Sequence, residues 1–150
     1  MVKRVKLADV TEDNWEAVVD LELDEAQEDL VASNAYSLAE SKFDPDARPR
    51  AVYAGKRVVG FLMYEVRKAK DKSRKASIYR FMIDRKYQGK GYGREALARA
   101  LDEIKAIPRM RKITIRYMAE NPIAKSFYGS FGFVEVGRDE DDEVIAELKL

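Results

Sequence analysis

The chain has 150 residues, with 28 Lys and Arg against 27 Asp and Glu, a formal net charge of +1, no cysteine and no histidine. That length supports one domain with a proper hydrophobic core, and the near balance of charge argues against bulk nucleic-acid binding, which needs a basic face to displace counterions. Without thiols or imidazoles, disulfide frameworks, zinc centres, cysteine-dependent transfer and serine–histidine hydrolysis are excluded, so the chemistry rests on carboxylates, Tyr, Ser/Thr, Lys/Arg, backbone amides or a bound cofactor.

The opening segment, MVKRVKLADV, has no apolar leader-like run, and no stretch approaches the length of a membrane span. A cytoplasmic protein with no membrane partner is expected. Val2 to Leu7 alternates apolar and basic residues, as a half-buried strand does. Thr11 is placed to cap a helix beginning near Glu12, with Trp15, Val18, Val19 and Leu23 on its apolar side. A break at Leu23-Asp24 leads into a second helix, Glu25 to Ser41, whose apolar positions include Leu30, Val31, Ala35 and Leu38. Pro45 and Pro49 mark a loop, after which Arg50 to Ala54 and Val58 to Arg67 read as a hairpin about Gly55-Lys56.

Lys68 to Lys75 reads as an exposed turn and Ser77 to Asp84, SIYRFMID, as a strand. A glycine-rich loop follows. The helix after it runs from Tyr92 to about Ile107 and is stopped by Pro108. Leu97, Leu101 and Ile104 form its buried stripe, with Glu95–Arg99 and Arg99–Glu103 as solvent-side pairs. Lys112 to Met118 is a strand. Asn121-Pro122 opens a short helix with Ile123, Phe127 and Phe131 as its core stripe, and Gly132 closes it. Phe133 to Gly137 and Val144 to Leu150 are the last strands, separated by the acidic turn Asp139 to Glu143. The order β-α-α-β-β-β-α-β-α-β-β is a mixed α/β domain over residues 1–150. One strand–loop–helix–strand crossover, Ser77 to Met118, supplies a parallel pair among antiparallel hairpins.

The loop RKYQGKGYGREALARAL carries three glycines at alternate positions, Gly89, Gly91 and Gly93, at the start of a helix. Such a turn can aim several N–H groups at one anion, with the helix dipole adding to the attraction. No window fits a Walker A loop. Gly91-Tyr92-Gly93-Arg94-Glu95-Ala96 formally satisfies the dinucleotide fingerprint, yet Arg85 to Lys90 intervenes between the strand and the fingerprint. A phosphate cradle is the reading the spacing supports, with a solvated turn as the bland alternative.

Gln88-Gly89-Lys90-Gly91-Tyr92-Gly93 resembles the Q/R-x-x-G-x-G/A signature of the GCN5-related N-acetyltransferases, the GNAT family. Asn121, Ala124, Phe127-Tyr128 and Phe131-Gly132-Phe133 resemble that family's N-x-x-A-x-x-x-Y-x-x-x-G-F segment. Leu21 to Glu40 is similar to the bacterial spermine/spermidine acetyltransferase branch. The resemblance implies a single-domain acyl-CoA N-acyltransferase fold, its sheet mostly antiparallel around a central pair of splayed parallel strands. It implies acetyl-CoA as cosubstrate, with no metal. Met82, Ile83 and Asp84 would bind the pantetheine arm. Gln88, Gly89, Lys90, Gly91, Tyr92, Gly93 and Arg94 would hold the pyrophosphate, and Asn121 and Lys125 would complete the cofactor contacts.

Tyr128 matches the position of the family's general acid, a phenol of ordinary pKa about 10 that protonates the departing CoA thiolate. Gly129, costly inside a helix, fits close approach of the ligand or of a neighbouring strand. Many relatives place a glutamate on the central strand, but Ile78-Tyr79-Arg80-Phe81-Met82 holds no carboxylate. The proton route is then a water chain, linked to Tyr79 or to a carboxylate such as Glu22 or Glu65. Glu22, Asp24, Glu25, Glu28 and Asp29, with Tyr36 and Tyr79, are the expected acceptor side, suited to a polycation. The expected reaction is direct acetyl transfer in a ternary complex to a small-molecule amine such as spermidine or spermine. A protein N-terminus or lysine as acceptor, and a non-catalytic acyl-CoA-binding sensor, are the rival readings. No nucleic-acid partner is expected, and a homodimer is compatible with the family.

Overall fold

The computed structural model describes residues 4–30 and 32–150. Val2, at the start of the expected first strand, and Val31, in the expected second helix, lie outside them, as do the side chains of Asp29 and Leu30. Seven strands form one sheet: β1 (Val5–Asp9), β2 (Ala47–Ala54), β3 (Arg57–Lys68), β4 (Arg74–Ile83), β5 (Met110–Tyr117), β6 (Val134–Arg138) and β7 (Val144–Lys149). Their spatial order is β1-β2-β3-β4-β5-β7-β6. Every neighbouring pair is antiparallel except β4 and β5. The helices are α1 (Trp15–Val19), α2 (Asn34–Ser41), α3 (Tyr92–Lys105) and α4 (Ala124–Gly129).

Successive strand residues point to opposite faces, so β3 feeds two cores at once. Leu62 and Tyr64 join Ile78, Ile113, Ile115 and the buried face of α3, which is Ala96, Leu97, Ala100, Leu101 and Ile104. Phe61 and Met63 join Val18, Ala51 and Met82 on the α1 and α2 side. The stripe expected on the third helix is therefore present. Its charged residues behave differently from expectation. Glu95 pairs with Arg4, Arg99 with Asp102 at 3.1 Å, and Glu103 with Arg50 at 3.0 Å and the Tyr64 hydroxyl at 2.5 Å. Two of these three partnerships leave the helix, to Arg4 just before β1 and to Arg50 of β2 and Tyr64 of β3, because that flank of α3 lies along the first strands of the sheet.

The amino-terminal helices are shorter than the periodicity predicts. Asn14 accepts from the Thr11 N–H at 2.8 Å and donates to Asp9 O at 2.9 Å and the Tyr53 hydroxyl at 3.1 Å. This buried carboxamide holds Thr11 to Asn14 as a turn, so α1 starts only at Trp15, a residue that is 46% exposed. The expected helix Glu25 to Ser41 is two pieces. Glu25–Leu30 is a 3₁₀ turn, and α2 restarts where the Ser33 hydroxyl caps the Tyr36 N–H at 3.1 Å. Ala35 consequently faces solvent.

Three further positions depart from expectation. Pro49 lies inside β2, beyond the end of β1, where its missing N–H breaks no ladder on that side. β4 begins at Arg74 because its hairpin with β3 extends pairing to Lys68↔Arg74. Asn121 does not cap α4. Its carboxamide accepts from the Ile123 N–H at 3.4 Å in a preceding turn, and Ile123 is 67% exposed while Ala124 takes the buried place. Gly129 is the last residue of α4, and no atom lies within 4 Å of where its Cβ would sit, so no strand approaches it.

Candidate active site

The parallel pair holds only as far as Ile78↔Ile115. On its other edge β4 pairs with β3 as Tyr64↔Ile78 and then Met63↔Arg80, which leaves Tyr79 as a bulge. Beyond the bulge, β4 follows β3 to Gly60↔Ile83 while β5 follows β7 through Arg116↔Ile145 and Tyr117↔Val144. The two parallel strands therefore splay. Between them opens a cleft of about 630 Å³, lined by Ile78, Tyr79, Arg80 and Phe81 from β4, by Arg116 and Tyr117 from β5, and by Tyr128 of α4. An unpaired strand edge accepts an extended amide-bearing ligand through main-chain hydrogen bonds. Gly60 lets β3 sit close beside this stretch, since a Cβ there would lie 2.6 Å from Met82 O.

At the end of β4 the chain is fixed before it reaches the glycines. Met82 and Ile83 are buried, and the buried Asp84 carboxylate accepts from Glu22 N–H and Lys86 N–H, each at 2.9 Å. The Asp84 N–H itself donates to Val59 O at 2.8 Å, so this residue anchors the loop from both backbone and side chain. Gln88 turns its carboxamide inward, donating to Ile83 O at 2.8 Å and to Gln27 at 2.9 Å. Its side chain therefore braces the loop.

Gly89 (φ 77°) and Gly91 (φ 85°) both lie in the left-handed region, where a side chain is strained. Alternating hand along 89–91 turns successive N–H groups toward one concavity, at the N-terminus of the fourteen-residue α3. Among the described residues, none of the N–H groups from Gly89 to Gly93 donates to a protein acceptor. Arg4 holds the loop from behind. Its guanidinium bonds Lys90 O at 2.9 Å, pairs with Glu95 and lies 4.8 Å from the Tyr92 ring centroid. Lys90 is exposed, its ammonium 5.8 Å from the Tyr87 ring. Arg94 is turned toward α4, its guanidinium over Phe131 at 4.9 Å and Phe127 at 5.4 Å and bonded to the Ser130 hydroxyl at 3.0 Å. The open N–H groups and the free strand edge fit a cosubstrate with an anionic end and an extended amide arm.

Tyr128 stands where that arm would lead. Its ring stacks on Tyr117 at 5.6 Å and meets Phe127 at 5.2 Å and Phe133 at 6.1 Å edge-on. Burial, with a smaller contribution from Tyr117, pushes its phenol up to about 12. It therefore keeps its proton throughout the physiological range. Asn121 lines the same cleft, and Lys125 is exposed on the outer face of α4.

The far side of the cleft is acidic. Glu28, Glu65, Asp139, Asp141 and Glu143 line it, against Arg80 and Arg116. Arg80 is occupied by Glu40 at 3.2 Å and Ser37 at 3.1 Å, and Arg116 lies 3.8 Å from Asp139. The Tyr79 hydroxyl is buried with no protein partner among the described residues, and burial, then Glu40, raises its pKa to about 12. Of the acceptor-side residues read from sequence, Tyr79 and Glu28 line the cleft, and so does Glu65, a carboxylate expected on the proton route. Glu22, Glu25 and Tyr36 are not among the lining residues. Glu22 pairs with Arg85 at 2.9 Å, Glu25 begins the exposed 3₁₀ turn, and Tyr36 is 61% exposed. The residues missed include Arg4, Arg80, Arg116, Tyr117 and the acids of the β6–β7 turn. That last segment looks in sequence like an ordinary charged turn, and only the sheet order carries it to the split.

The Acetyltransferase (GNAT) family model matches residues 9–133. The spermine/spermidine N(1)-acetyltransferase of Bacillus subtilis (strain 168) is 29% identical over 132 residues, spanning 86% of this chain and 87% of that protein. Among solved structures, spermidine N-acetyltransferase from Vibrio cholerae in complex with CoA and spermine superposes with a TM-score of 0.74 at 19% identity, over 99% of this chain and 96% of that one. PaiA N-acetyltransferase from Thermoplasma acidophilum in complex with coenzyme A gives a TM-score of 0.72 at 19% identity, over 97% of this chain and 99% of that one. The family match takes in the splayed strands, the glycine loop and Tyr128 together, and the chain belongs to the GNAT family of acetyl-CoA-dependent N-acetyltransferases.

Proposed function

We propose that this N-acetyltransferase acetylates a primary amine of a polyamine such as spermidine or spermine, by direct transfer in a ternary complex. The observation that carries the reading is the acidic half of the cleft. Five carboxylates face two arginines; Arg80 is engaged by Glu40, Arg116 lies beside Asp139 and Glu65 is bonded to Arg67, so Glu28, Asp141 and Glu143 remain as surplus negative charge. A polycation with several ammonium groups complements such a lining and is steered toward it at low salt. The kinship with a protein named spermine/spermidine N(1)-acetyltransferase supports the same acceptor. With neither Cys nor His in the chain, attack by the amine on the thioester is the economical route.

In this reading acetyl-CoA supplies the activated acetyl group. The Gly89–Gly93 N–H groups hold its anionic end, and the free edge of β4 beyond Tyr79 orients its arm. Tyr128 stands beside the leaving sulfur. A thiol has an ordinary pKa near 8.5 and this phenol one of about 12, so protonating the thiolate is uphill by roughly 5 kcal/mol if the phenolate is left behind. The transfer becomes favourable when the phenolate oxygen takes up the proton that the new amide nitrogen sheds. Tyr128 therefore works as a relay. Tyr79, whose hydroxyl is buried, shapes the wall of the split on the acceptor side.

Purified protein with acetyl-CoA is expected to release free thiol when given spermidine or spermine, and much less with monoamines of similar length. Equal rates with a monoamine, or transfer to peptide N-termini alone, would remove the polyamine reading.

A further inference from the structure

We propose that Glu143, at the mouth of β7, is the residue that takes the proton from the acceptor ammonium; this rests on amine acetylation in the cleft just described. β4 offers no carboxylate where the strands part. β7 brings one from the other bank. Val144 and Ala146 are buried on the α3 side of the sheet, so the alternation sends Glu143 and Ile145 to the opposite, acceptor side. Val144 is paired with Tyr117, whose ring stacks on Tyr128 at 5.6 Å. Glu143 thus stands one residue from the strand position that carries the Tyr128 contact, on the face of the sheet that carries the acidic lining.

Its rivals in the lining are committed or in water. Glu65 is bound by Arg67 through two bonds of 3.1 and 3.2 Å. Asp139 accepts from the Asp141 and Glu143 N–H groups, each at 2.9 Å, and lies beside Arg116. Glu28 and Asp141 are exposed. The Glu143 carboxylate is half-buried and, among the described residues, has no ion pair or side-chain hydrogen bond, while its backbone is fixed by Asp139. The groups facing it are Asp139 and Asp141 from its own turn, Arg116 from β5, Arg80 and Tyr79 from β4, Glu65 from β3, and Glu28 from the 3₁₀ turn. Burial and then Asp139 raise its carboxyl above the ordinary carboxylate value, against a lowering by Arg116, with Asp141 raising it further and Arg80 opposing.

The step balances as follows. One N–H bond of the ammonium breaks and its proton passes to a Glu143 oxygen, leaving the nitrogen lone pair to form the C–N bond to the acetyl carbon. The C–S bond breaks with its electron pair on sulfur. Tyr128 gives that sulfur a proton and recovers one from the amide nitrogen, and Glu143 later returns its proton to solvent. The net reaction is ammonium plus thioester giving amide, thiol and one proton.

The test is Glu143→Gln in the full chain, assayed by thiol release with the best acceptor of a panel of polyamines, monoamines and peptides. The expected kcat falls about 10²-fold or more. The acid limb of the wild-type kcat–pH profile should disappear, CoA affinity should be unchanged, and formate should partly restore Glu143→Ala. A raised carboxyl pKa stabilises the fold below its unfolded value and loses that contribution as pH rises through the folded value. Glu143→Gln should therefore melt no lower than wild type at neutral pH, which separates chemistry from folding. Asp142→Asn, in the same turn but not in the lining, should match wild type. A Glu143→Gln enzyme with wild-type kcat and an intact acid limb, or one changed only in acceptor KM, overturns the proposal. If monoamines or peptides alone are acetylated, the polyamine reading fails while the Glu143 result still decides its own case. If nothing in the panel is acetylated, both fall.

Discussion

On the α3 side of the split, Gly89 to Gly93 present backbone N–H groups from one short stretch of chain, held from behind by Arg4. On the opposite side, the carboxylates of Glu28, Glu65, Asp139, Asp141 and Glu143 come from a 3₁₀ turn, from β3 and from the β6–β7 turn. The first surface is local, made of main chain, and indifferent to side-chain identity except where φ must be positive. The second is assembled from parts far apart in sequence, and its character lies wholly in side-chain charge. A cosubstrate common to a whole family can be met by a backbone motif, because its anionic end never changes. An acceptor must be met by side chains, which can be exchanged without disturbing the sheet. Tyr128, carried by a third element, stands where the two surfaces meet.

That contrast can be broken or sharpened by substitutions that touch one surface only. The largest effect should come from Tyr128→Phe at the junction, with kcat falling about 10²–10⁴-fold. Calorimetry should show CoA binding unchanged, and a parallel loss of CoA affinity would mean the ring holds the cosubstrate and does not relay protons. Next comes Gly91→Ala. Its Cβ would sit 3.1 Å from the Arg4 guanidinium at a φ of 85°, and left-handed strain of about 1–2 kcal/mol should weaken CoA roughly tenfold. Acceptor KM at saturating acetyl-CoA should stay as in wild type. If it rises equally, the two surfaces are not independent.

Asp141→Asn should do the reverse, raising spermidine KM about two- to fivefold and flattening its salt dependence, with CoA affinity untouched. The smallest effect is expected from Glu25→Gln. The residue is exposed and not in the lining, so its kinetic constants should lie within about twofold of wild type. A large effect there would extend the acceptor surface toward the first helices.

Much of the scaffold is legible in the amino-acid order. The period of α3, the glycine loop and the hairpin residues each act within a few neighbours, so Leu97, Leu101, Gly89 and Gly91 announce their conformations directly. The amino-terminal helices are less legible. Apolar spacing suggests continuity from Glu25 to Ser41, but Glu22 N–H is tied to Asp84 and Arg85 N–H to Glu22 O at 2.8 Å, which holds the approach to that segment against the end of β4. The acidic lining of the cleft is hardest to read, because nothing near Glu143 distinguishes it from Glu140 or Asp142.

Sequence alone, then, determined the order of elements, the glycine loop at the start of α3 and the phenol that follows it. Those depend on φ preferences, on helical and strand periods and on residue spacing, all short-range. Only the tertiary structure decided that β4 bulges at Tyr79 and parts from β5, that Arg4 backs the loop, and that the β6–β7 acids reach the cleft. Each of these requires strands to lie next to partners distant in the chain, and a side chain's burial and charge environment exist only once that sheet has formed.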